Sequence, residues 1–272
     1  MKDWIRGKLR ARRASRLLEK DGVDTGLGFR FSGPSVMQEG AFEPEETKIL
    51  QNLLSDADRF VNVGANFGYF VCLARSMNVP VTAVEPVPVN LQLLDKNLRQ
   101  NGYDGDVVVH RCACGQETGE AEIFGVGTGA SFVKGWARNP QSLHHKVPVR
   151  RLDDLVAASE LSGRSVFLVD VEGFELEVLK GADAILSLED KPVWMLESGL
   201  SDHREEGDLN PQFEAVFDLL TSHGYDLYAV NRPDQRVEKA DITTSFETGK
   251  DVIGGHNFLL VPAGQTIAHL LT

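Results

Sequence analysis

Short apolar runs alternate with helical periodicities along the chain from Gly40 onward. Runs of strand length, each containing valine, occupy residues 60–63, 81–84, 107–112, 166–169 and 193–196. Around them, apolar residues recur every three or four positions over residues 43–54, 68–77, 90–102 and 213–220, which predicts helices. Strands separated by helices pair in parallel and carry helices on both faces. The pattern therefore predicts an α/β, doubly wound sheet.

Single residues refine the ends of these elements. Asn90 is predicted as the N-cap of the third helix, and Gly102 as its end, because glycine readily adopts the left-handed C-cap conformation. Gly224 is predicted to stop the helix over residues 213–220. Asp153 precedes an apolar pair and is predicted to cap a further helix there.

The section over residues 115–164 is long for a connection in a compact domain. It contains strand-like pieces at 121–124 and 146–149, which predict an inserted hairpin and lid facing a substrate. Its glycine cluster, residues 125–130, resembles a nucleotide-binding turn, but no strong buried strand precedes it and no good helix follows. We therefore predict a flexible loop over the active site in preference to a second cofactor site.

The chemistry of the chain is concentrated after the first two strands. Gly64 and Gly68 let the backbone pass close under a ligand between a buried strand and a helix. Glu85 ends the second strand about 20 residues beyond the first glycine, where a carboxylate can hold ribose hydroxyls. The middle glycine of a dinucleotide turn is missing, which argues against a pyrophosphate. A nucleoside cofactor without phosphate, S-adenosyl-L-methionine, is favoured.

Four segments in this order resemble the motifs of FkbM-type methyltransferases. They are residues 62–69 (Asn-Val-Gly-Ala-Asn-Phe-Gly-Tyr), 84–90 (Val-Glu-Pro-Val-Pro-Val-Asn), 151–155 (Arg-Leu-Asp-Asp-Leu) and 169–182, which begins Val-Asp-Val-Glu-Gly-Phe-Glu. The resemblance runs from about Glu39 to Pro262 and implies an S-adenosylmethionine-dependent enzyme that methylates a hydroxyl of a sugar, glycan precursor or related metabolite. It also implies the class I methyltransferase (Rossmann-like) fold. That fold has a mostly parallel seven-stranded sheet closed by an antiparallel strand, here residues 258–261 beside 227–230.

Ligands of open α/β sheets lie beyond the carboxyl ends of the strands, which places the candidate catalytic residues. Asp170 and Glu197 end neighbouring strands, and Glu172 follows where a strand turns into a helix. Any of these carboxylates can orient or deprotonate a hydroxyl. His145, in the inserted section, is a fourth candidate base. For Asp170 and Glu172 the alternative is a helix cap, and Glu175 and Glu177 are predicted as helix surface or salt-bridge partners.

The candidate cofactor-binding residues come from the glycine turn and from the ends of the neighbouring strands. They are Asn62, Gly64, Ala65, Asn66, Gly68, Glu85, Pro86, Asn90, Arg111, Ala113 and Asp170. Asn66 is also predicted as a left-handed turn residue, and residues 111–113 occupy the place where such folds line an adenine pocket. Asp170 and Glu197 could supply oxygen ligands to magnesium, but no spacing in the sequence requires a metal, so we predict that the reaction needs none.

Composition narrows the class of partner. The net charge of −12 disfavours a nucleic-acid substrate, because phosphates would be repelled over most of the surface. The three cysteines cannot all pair within the chain, which predicts free, mostly buried thiols and a reducing, cytoplasmic location. No apolar run is long enough to predict a transmembrane helix or a signal peptide.

We divide the chain into an N-terminal extension over residues 1–38, predicted to be helical, and an S-adenosylmethionine-binding domain over 39–272. The extension is basic, carrying Lys2, Arg6, Lys8, Arg10, Arg12, Arg13 and Arg16. It suits contact with an anionic membrane surface or a protein partner. A solvated helix or an arm pairing with the acidic domain is the alternative, and the oligomeric state stays open.

Two other functions stay open at this point. One is an NAD-dependent oxidoreductase on a Rossmann fold, against which the two-glycine turn and the lack of a convincing Tyr-x-x-x-Lys pair count. The other is a non-catalytic binding module that retains the methyltransferase fold. It is suggested by Asn62, because the family usually has aspartate at this position.

Overall fold

A computed structural model describes residues 16–125, 127–136, 144–201, 208–265 and 267. Most of the basic N-terminal segment, residues 1–15, and part of the section after Leu200 lie outside these ranges. The strands of the described residues are β1 (Val23–Asp24), β2 (Arg30–Phe31), β3 (Arg59–Val63), β4 (Val81–Val84), β5 (Val107–His110), β6 (Ala113–Cys114), β7 (Gly119–Phe124), β8 (His144–Arg150), β9 (Ser165–Val169), β10 (Val193–Glu197), β11 (Tyr225–Ala229) and β12 (Asn257–Pro262).

The α-helices of the described residues alternate with these strands. They are α1 (Ser35–Gln38), α2 (Pro44–Leu54), α3 (Tyr69–Ser76), α4 (Pro88–Gln100), α5 (Leu152–Leu155), α6 (Glu175–Lys180), α7 (Asp183–Leu186), α8 (Phe213–Ser222) and α9 (Lys239–Thr248). Residues 16–18 are also helical. No helix in this part of the chain is both long and apolar enough to cross a bilayer.

Seven strands form the central sheet in the order β11-β12-β10-β9-β3-β4-β5. The pairs β10–β9, β9–β3, β3–β4 and β4–β5 are parallel, and β12 runs antiparallel to both of its neighbours, β10 and β11. This is the class I methyltransferase arrangement, so the predicted fold class is confirmed. The strand order reverses between β3 and β9, which places the ligand crevice of such a sheet at their carboxyl ends.

Two apolar layers cover the sheet, one on each face. On one face Phe60 and Val81 pack with residues of α2, α3 and α4. On the other, Phe167 stacks on Trp194 with ring centroids 4.1 Å apart, among residues of α6, α7 and α8. Burial of these strands on both faces explains why the sequence reads as continuous apolar runs rather than as an alternation.

The N-terminal hairpin of β1 and β2 packs on the same core. Phe29 and Phe31 are buried with residues of α3, and their rings lie 5.5 Å from the ring of Tyr69. Asn97 of α4 is fully buried and joins this arm to the glycine turn: its side-chain amide donates to the carbonyls of Ser32 and Phe67 at 3.1 and 2.8 Å. The arm and the turn therefore share one support.

The inserted section forms a second sheet, in the order β6-β8-β7. Strands β7 and β8 pair as the expected antiparallel hairpin, with Ile123 opposite His145. The third strand is shorter than predicted. It ends at His110, and Ala113 and Cys114 pair instead with β8. The chain thus leaves the central sheet at Arg111, which lets the second sheet lie over the carboxyl ends.

Two predicted caps are wrong. Asn90 lies inside the first turn of α4, because Pro88 occupies the first helical position and Val87 is the N-cap. Asp153 does not cap its own helix. Its carboxylate accepts from the backbone N–H groups of Ala184 and Ile185, both at 3.2 Å, and so caps α7.

Gly64 provides a test of how closely the two central strands approach. It has a φ of 87°, and a Cβ at this position would lie 1.7 Å from the carbonyl oxygen of Asp170. Gly102 also has a positive φ, 72°, but a Cβ there would meet nothing within 4 Å. We expect Gly102→Ala to lower the free energy of unfolding by about 1 kcal/mol, the cost of the left-handed backbone alone.

Gly64→Ala adds the clash with the Asp170 backbone, so we expect a loss of at least about 3 kcal/mol, measured by urea unfolding. Equal losses for the two variants would show that the strand ends are free to separate and would contradict this packing.

Candidate active site

A cavity of about 510 Å³ lies at the carboxyl ends of β3, β4 and β9, beneath the second sheet. We call it the central cavity. Its walls combine the glycine turn, the ends of three sheet strands and the inserted section. They consist of Val63, Gly64, Asn66, Val84, Glu85, Pro86, Val87, Asn90, Cys112, Ala113, Cys114, Ile123, Gly127, Gly129, Ala130, Phe132, Asp170, Val171 and Glu172. The glycine cluster thus covers the cavity, as its sequence context predicts.

The glycine turn is held by backbone hydrogen bonds to β4. The N–H groups of Gly64 and Ala65 both donate to the carbonyl of Val84, at 2.9 and 3.0 Å. Asn66 has a φ of 51°, which confirms the predicted left-handed conformation. Its side-chain Oδ1 is buried with no hydrogen-bond partner among the described residues. A left-handed turn residue can therefore also offer an acceptor to a ligand.

Glu85 stands at the end of β4 and is 3 % exposed. One carboxylate oxygen accepts from the N–H of Asn66 at 2.8 Å. The other accepts from the N–H of Val87 at 2.8 Å and from the amide of Asn90 at 3.2 Å. A carboxylate offers about four acceptor positions, so one is left for a ligand. Burial raises the pKa of Glu85 to about 7, although these hydrogen bonds oppose the shift.

Asp170 ends β9 and lies directly against the glycine turn, since its N–H donates to the carbonyl of Val63 at 3.0 Å. Its carboxyl group lies beside that of Glu197, at the end of the adjacent strand β10, and interacts electrostatically with Glu172. Its Oδ1 is buried without a partner among the described residues. Burial, and next the charge of Glu172, raise the pKa of Asp170 to about 7. Burial and repulsion from Asp170 also raise the pKa of Glu197.

Glu172 follows the strand in a left-handed conformation, with a φ of 55°. Its carboxylate accepts from the indole N–H of Trp136 at 2.6 Å, and its backbone carbonyl accepts from the hydroxyl of Ser131 at 2.5 Å. Both donors belong to the inserted section. Glu172 therefore fastens this section to the end of β9.

Two acids beside this site, the partly buried Glu43 and the buried Glu175, were missed or misread in the sequence. Glu43 precedes α2, and burial followed by repulsion from Asp170 raises its pKa to about 8. Glu175 was predicted at a helix surface, which is wrong: it is 4 % exposed and accepts from the N–H of Gly173 at 2.7 Å. Glu177 does form the predicted ion pair, with Lys180 at 2.8 Å. The helical spacing of apolar residues does not indicate that Glu175 is buried, because its burial comes from the turn before α6, which folds back onto its side chain.

Several candidate residues lie away from the central cavity. Arg111 is turned outward and pairs with Asp95 of α4 at 2.9 Å, because the chain leaves the sheet at this point; its expected place in the adenine pocket is not supported. His145 lies on the same face of the hairpin as Ile123 but does not line the cavity. Asn62, 2 % exposed, instead lines a neighbouring cavity of about 340 Å³.

That neighbouring cavity, which we call the turn cavity, lies behind the glycine turn. Asn62, Asn66 and Asp170 line it, and each has a buried Oδ1 without a partner among the described residues. Apolar rings complete the walls, including those of Phe42 and Phe70. A group with several N–H donors would satisfy these three acceptors.

The remaining candidates line the central cavity or shape its turn. Pro86, Asn90 and Ala113 are wall residues, and the three free, buried cysteines include two more, Cys112 and Cys114. Asn90 Oδ1 is another acceptor without a partner among the described residues. Within the same ranges, no group of three or more histidine, cysteine or acidic side chains could hold a metal ion. Metal independence stays a prediction.

Residues 62–227 match the methyltransferase FkbM domain. The chain belongs to the FkbM methyltransferase family. S-adenosyl-L-methionine is accordingly its cofactor. The match covers the glycine turn, the three acidic strand ends (Glu85, Asp170 and Glu197) and the whole inserted section, so the FkbM resemblance seen in the motifs is confirmed.

The individual proteins that resemble this chain share less than 30% sequence identity with it. The chain is 27% identical over 188 residues to the hexuronic acid methyltransferase AglP of Haloferax volcanii, covering 66% of this chain and 74% of the relative. The crystal structure of an FkbM methyltransferase from Methylobacillus flagellatus is 20% identical with a TM-score of 0.44, over 75% of this chain and 43% of the other. This chain thus spans less than half of that protein. Cofactor-bound Rv0187 from MTB is 14% identical with a TM-score of 0.45, over 93% and 89% of the two chains.

The cavity residues of this FkbM protein fit the cofactor. Its ribose hydroxyls, adenine amino group and ammonium group are donors, and Asn62, Asn66, Asn90 and Asp170 each hold a buried acceptor without a partner among the described residues. Charge agrees as well, because no lysine or arginine in the described ranges lines the central cavity, whereas Glu85 and Asp170 do. A cationic sulfonium suits such walls, and the pyrophosphate of a dinucleotide does not.

The buried acids predict how stability depends on pH. The raised pKa values, about 8 for Glu43 and about 7 for Glu85, Asp170 and Glu175, mean that the folded protein binds more protons than the unfolded chain above about pH 4.5. We expect the thermal unfolding midpoint to fall by at least about 3 °C between about pH 5 and about pH 8 at constant ionic strength.

Glu43→Gln removes one of these proton sites, so its midpoint should depend less on pH than that of the parent protein. A parent midpoint that stays level or rises over this range would contradict the assigned protonation states.

Proposed function

We propose that this protein transfers a methyl group from S-adenosyl-L-methionine to a hydroxyl of a sugar, glycan precursor or related metabolite. The observation that carries the proposal is the neighbouring pair of carboxyl groups, Asp170 and Glu197, at the ends of two adjacent parallel strands. Family membership supports methyl transfer. The name of the Haloferax volcanii relative, a hexuronic acid methyltransferase, supports a sugar as the class of acceptor.

In this proposal the glycine turn and its neighbours hold the cofactor. Glu85 and Asn90 take the ribose hydroxyls, and the apolar wall containing Ala113 faces the adenine ring. Asn62 and Asn66 offer their side-chain oxygens to the ammonium group. Gly64 lines both the central cavity and the turn cavity. Buried acceptor atoms without a partner among the described residues lie in both cavities, and they support this orientation.

The cofactor supplies a methyl group already activated by its sulfonium, so the protein has to place an oxygen nucleophile and remove a proton. Burial, followed by repulsion from neighbouring carboxylates, raises the pKa of both Asp170 and Glu197, which favours a single negative charge shared by the two carboxyl groups. The charged oxygen accepts the proton of the acceptor hydroxyl. A carboxylate whose pKa lies near the working pH is suited to this task.

Glu197→Gln tests the carboxyl pair without touching the central cavity. Glutamine keeps the shape of the side chain but cannot share a proton with Asp170, so we expect kcat to fall by about 100-fold or more. The dissociation constant for S-adenosylhomocysteine, measured by calorimetry, should stay within about twofold, because Glu197 does not line that cavity.

Glu177→Gln is the matched control, since Glu177 forms its ion pair with Lys180 outside the cavity, and its kcat should not change. Full activity in Glu197→Gln would show that the pair is not the proton acceptor. A parent protein that binds the cofactor but methylates no sugar would favour the non-catalytic module.

A further inference from the structure

The ammonium group of the cofactor is a cation, and the turn cavity proposed to hold it lacks a full negative charge. Three acceptor atoms line this cavity without a partner among the described residues, and two of them belong to the neutral amides of Asn62 and Asn66. Asn62 is 2 % exposed, and a buried, unused acceptor of this kind indicates a donor on a ligand. The third acceptor, on Asp170, belongs to the carboxyl pair that shares one charge with Glu197. The ammonium group thus finds hydrogen bonds here, but its charge is not balanced by the walls alone.

Glu43 stands beside this cavity. Phe42, Tyr69 and Asp170 are wall residues of the turn cavity, and all three lie close to Glu43. Phe42 precedes it in the chain, Asp170 is the charged group that repels it most, and the charge of Glu43 acts on the hydroxyl of Tyr69. Glu43 itself is partly buried. Its carboxyl group is therefore within electrostatic reach of a group that occupies the turn cavity.

The start of α2 holds Glu43 in place. Its backbone has a φ of 41° and a ψ of 68°, a left-handed conformation that is unfavourable for a residue with a side chain. Two hydrogen bonds fix it: the N–H of Thr47 donates to the carbonyl of Glu43 at 2.7 Å, and the hydroxyl of Thr47 donates to the carbonyl of Phe42 at 2.8 Å. The first turn of α2 thus maintains an unfavourable backbone that keeps this carboxyl group near Asp170.

The charges that act on Glu43 are all negative. They are those of Asp170, Glu46 and Glu172, and Glu43 in turn acts on Glu197. In the described ranges, no lysine, arginine or histidine forms an ion pair with Glu43. Burial and next the repulsion from Asp170 raise its pKa to about 8. A cation between these two carboxyl groups would replace the repulsion by attraction and favour the charged form of both. The surroundings of Glu43 are thus suited to a positively charged group.

We propose that Glu43 is the counter-ion of the cofactor's ammonium group in the turn cavity. Asn62 and Asn66 supply neutral acceptors for the N–H groups, and Glu43 supplies the negative charge that these amides lack. This inference rests on the cofactor placement in the proposed function and makes it more specific. It also adds a binding residue that lies outside residues 62–227, the span of the family match.

Calorimetry on the full-length protein tests the counter-ion with two ligands. S-adenosylhomocysteine carries the ammonium group, whereas 5′-methylthioadenosine keeps the adenosine and the sulfur but lacks the amino-acid portion. Glu43→Gln keeps the size and polarity of the side chain and removes its charge. We expect the dissociation constant for S-adenosylhomocysteine to rise by at least about tenfold and that for 5′-methylthioadenosine to change by less than about twofold. Binding of the second ligand also shows that the variant keeps a folded site.

Glu46→Gln is the matched control. Glu46 lies in the first turn of the same helix, and its carboxylate accepts from the side-chain amide of Asn257 at 3.0 Å. Glutamine keeps an acceptor for that bond. Both dissociation constants of this variant should stay within about twofold of those of the parent protein.

A second variant moves the charge to the opposite side of the ammonium group. Asn62→Asp places a carboxylate directly in the turn cavity. Combined with Glu43→Gln, it should restore most of the lost affinity for S-adenosylhomocysteine, whereas in the parent protein it should improve affinity by less than about threefold. Equal effects in the two backgrounds would show that the residues act independently and would contradict the shared role.

The outcomes separate this inference from the proposed function. Unchanged or tighter binding of S-adenosylhomocysteine by Glu43→Gln would overturn the counter-ion, and methylation of a sugar by the parent protein would still support the proposed function. If the parent protein shows the expected dependence on Glu43 but methylates no sugar, the counter-ion stands and the proposed function is wrong.

Discussion

The approach of two backbones at Gly64 and Asp170 is the constraint on which the site depends. The chain leaves β3 directly beneath the carbonyl of Asp170, with no room for a side chain at position 64. This contact aligns the glycine turn with the end of β9, so that acceptors from both strands face the same cavities. If the ends of β3 and β9 lay farther apart, Gly64 and Asp170 could not form a common wall of these cavities.

The same crowding explains the unusual electrostatics. Glu85 and Glu175 are buried, Glu43, Asp170 and Glu197 are partly buried, and loss of water around the carboxyl group is the first cause of the raised pKa in each of the five. Such groups are retained at a cost in stability, because a fold optimised for stability alone would pair or replace them. Here Glu85 and Asp170 line a cavity suited to a cationic cofactor, and Asp170 and Glu197 provide a carboxyl pair that can take up a proton. The proposed function therefore explains why these acids are present although they lower the stability of the fold.

The sequence predicts the sheet well because its strands are buried on both faces. The apolar runs at 81–84 and 166–169 fall within one residue of β4 and β9. Features set by the chain path after a strand were harder to predict. Arg111 lies beyond the real end of β5 and turns toward Asp95, and Pro88 rather than Asn90 determines where α4 begins. Glu43 carries no local motif, since its raised pKa arises in part from Asp170 and Glu172, which are distant in the sequence.

The central claim is that the methyl donor lies across the ends of β3, β4 and β9 with its reactive end beside the carboxyl pair. A crystal structure with bound S-adenosylhomocysteine tests this most directly. The account predicts the ribose on Glu85, the adenine against Ala113 and the sulfur facing Asp170. A product molecule bound outside the central cavity, or one whose sulfur points away from Asp170, would contradict it.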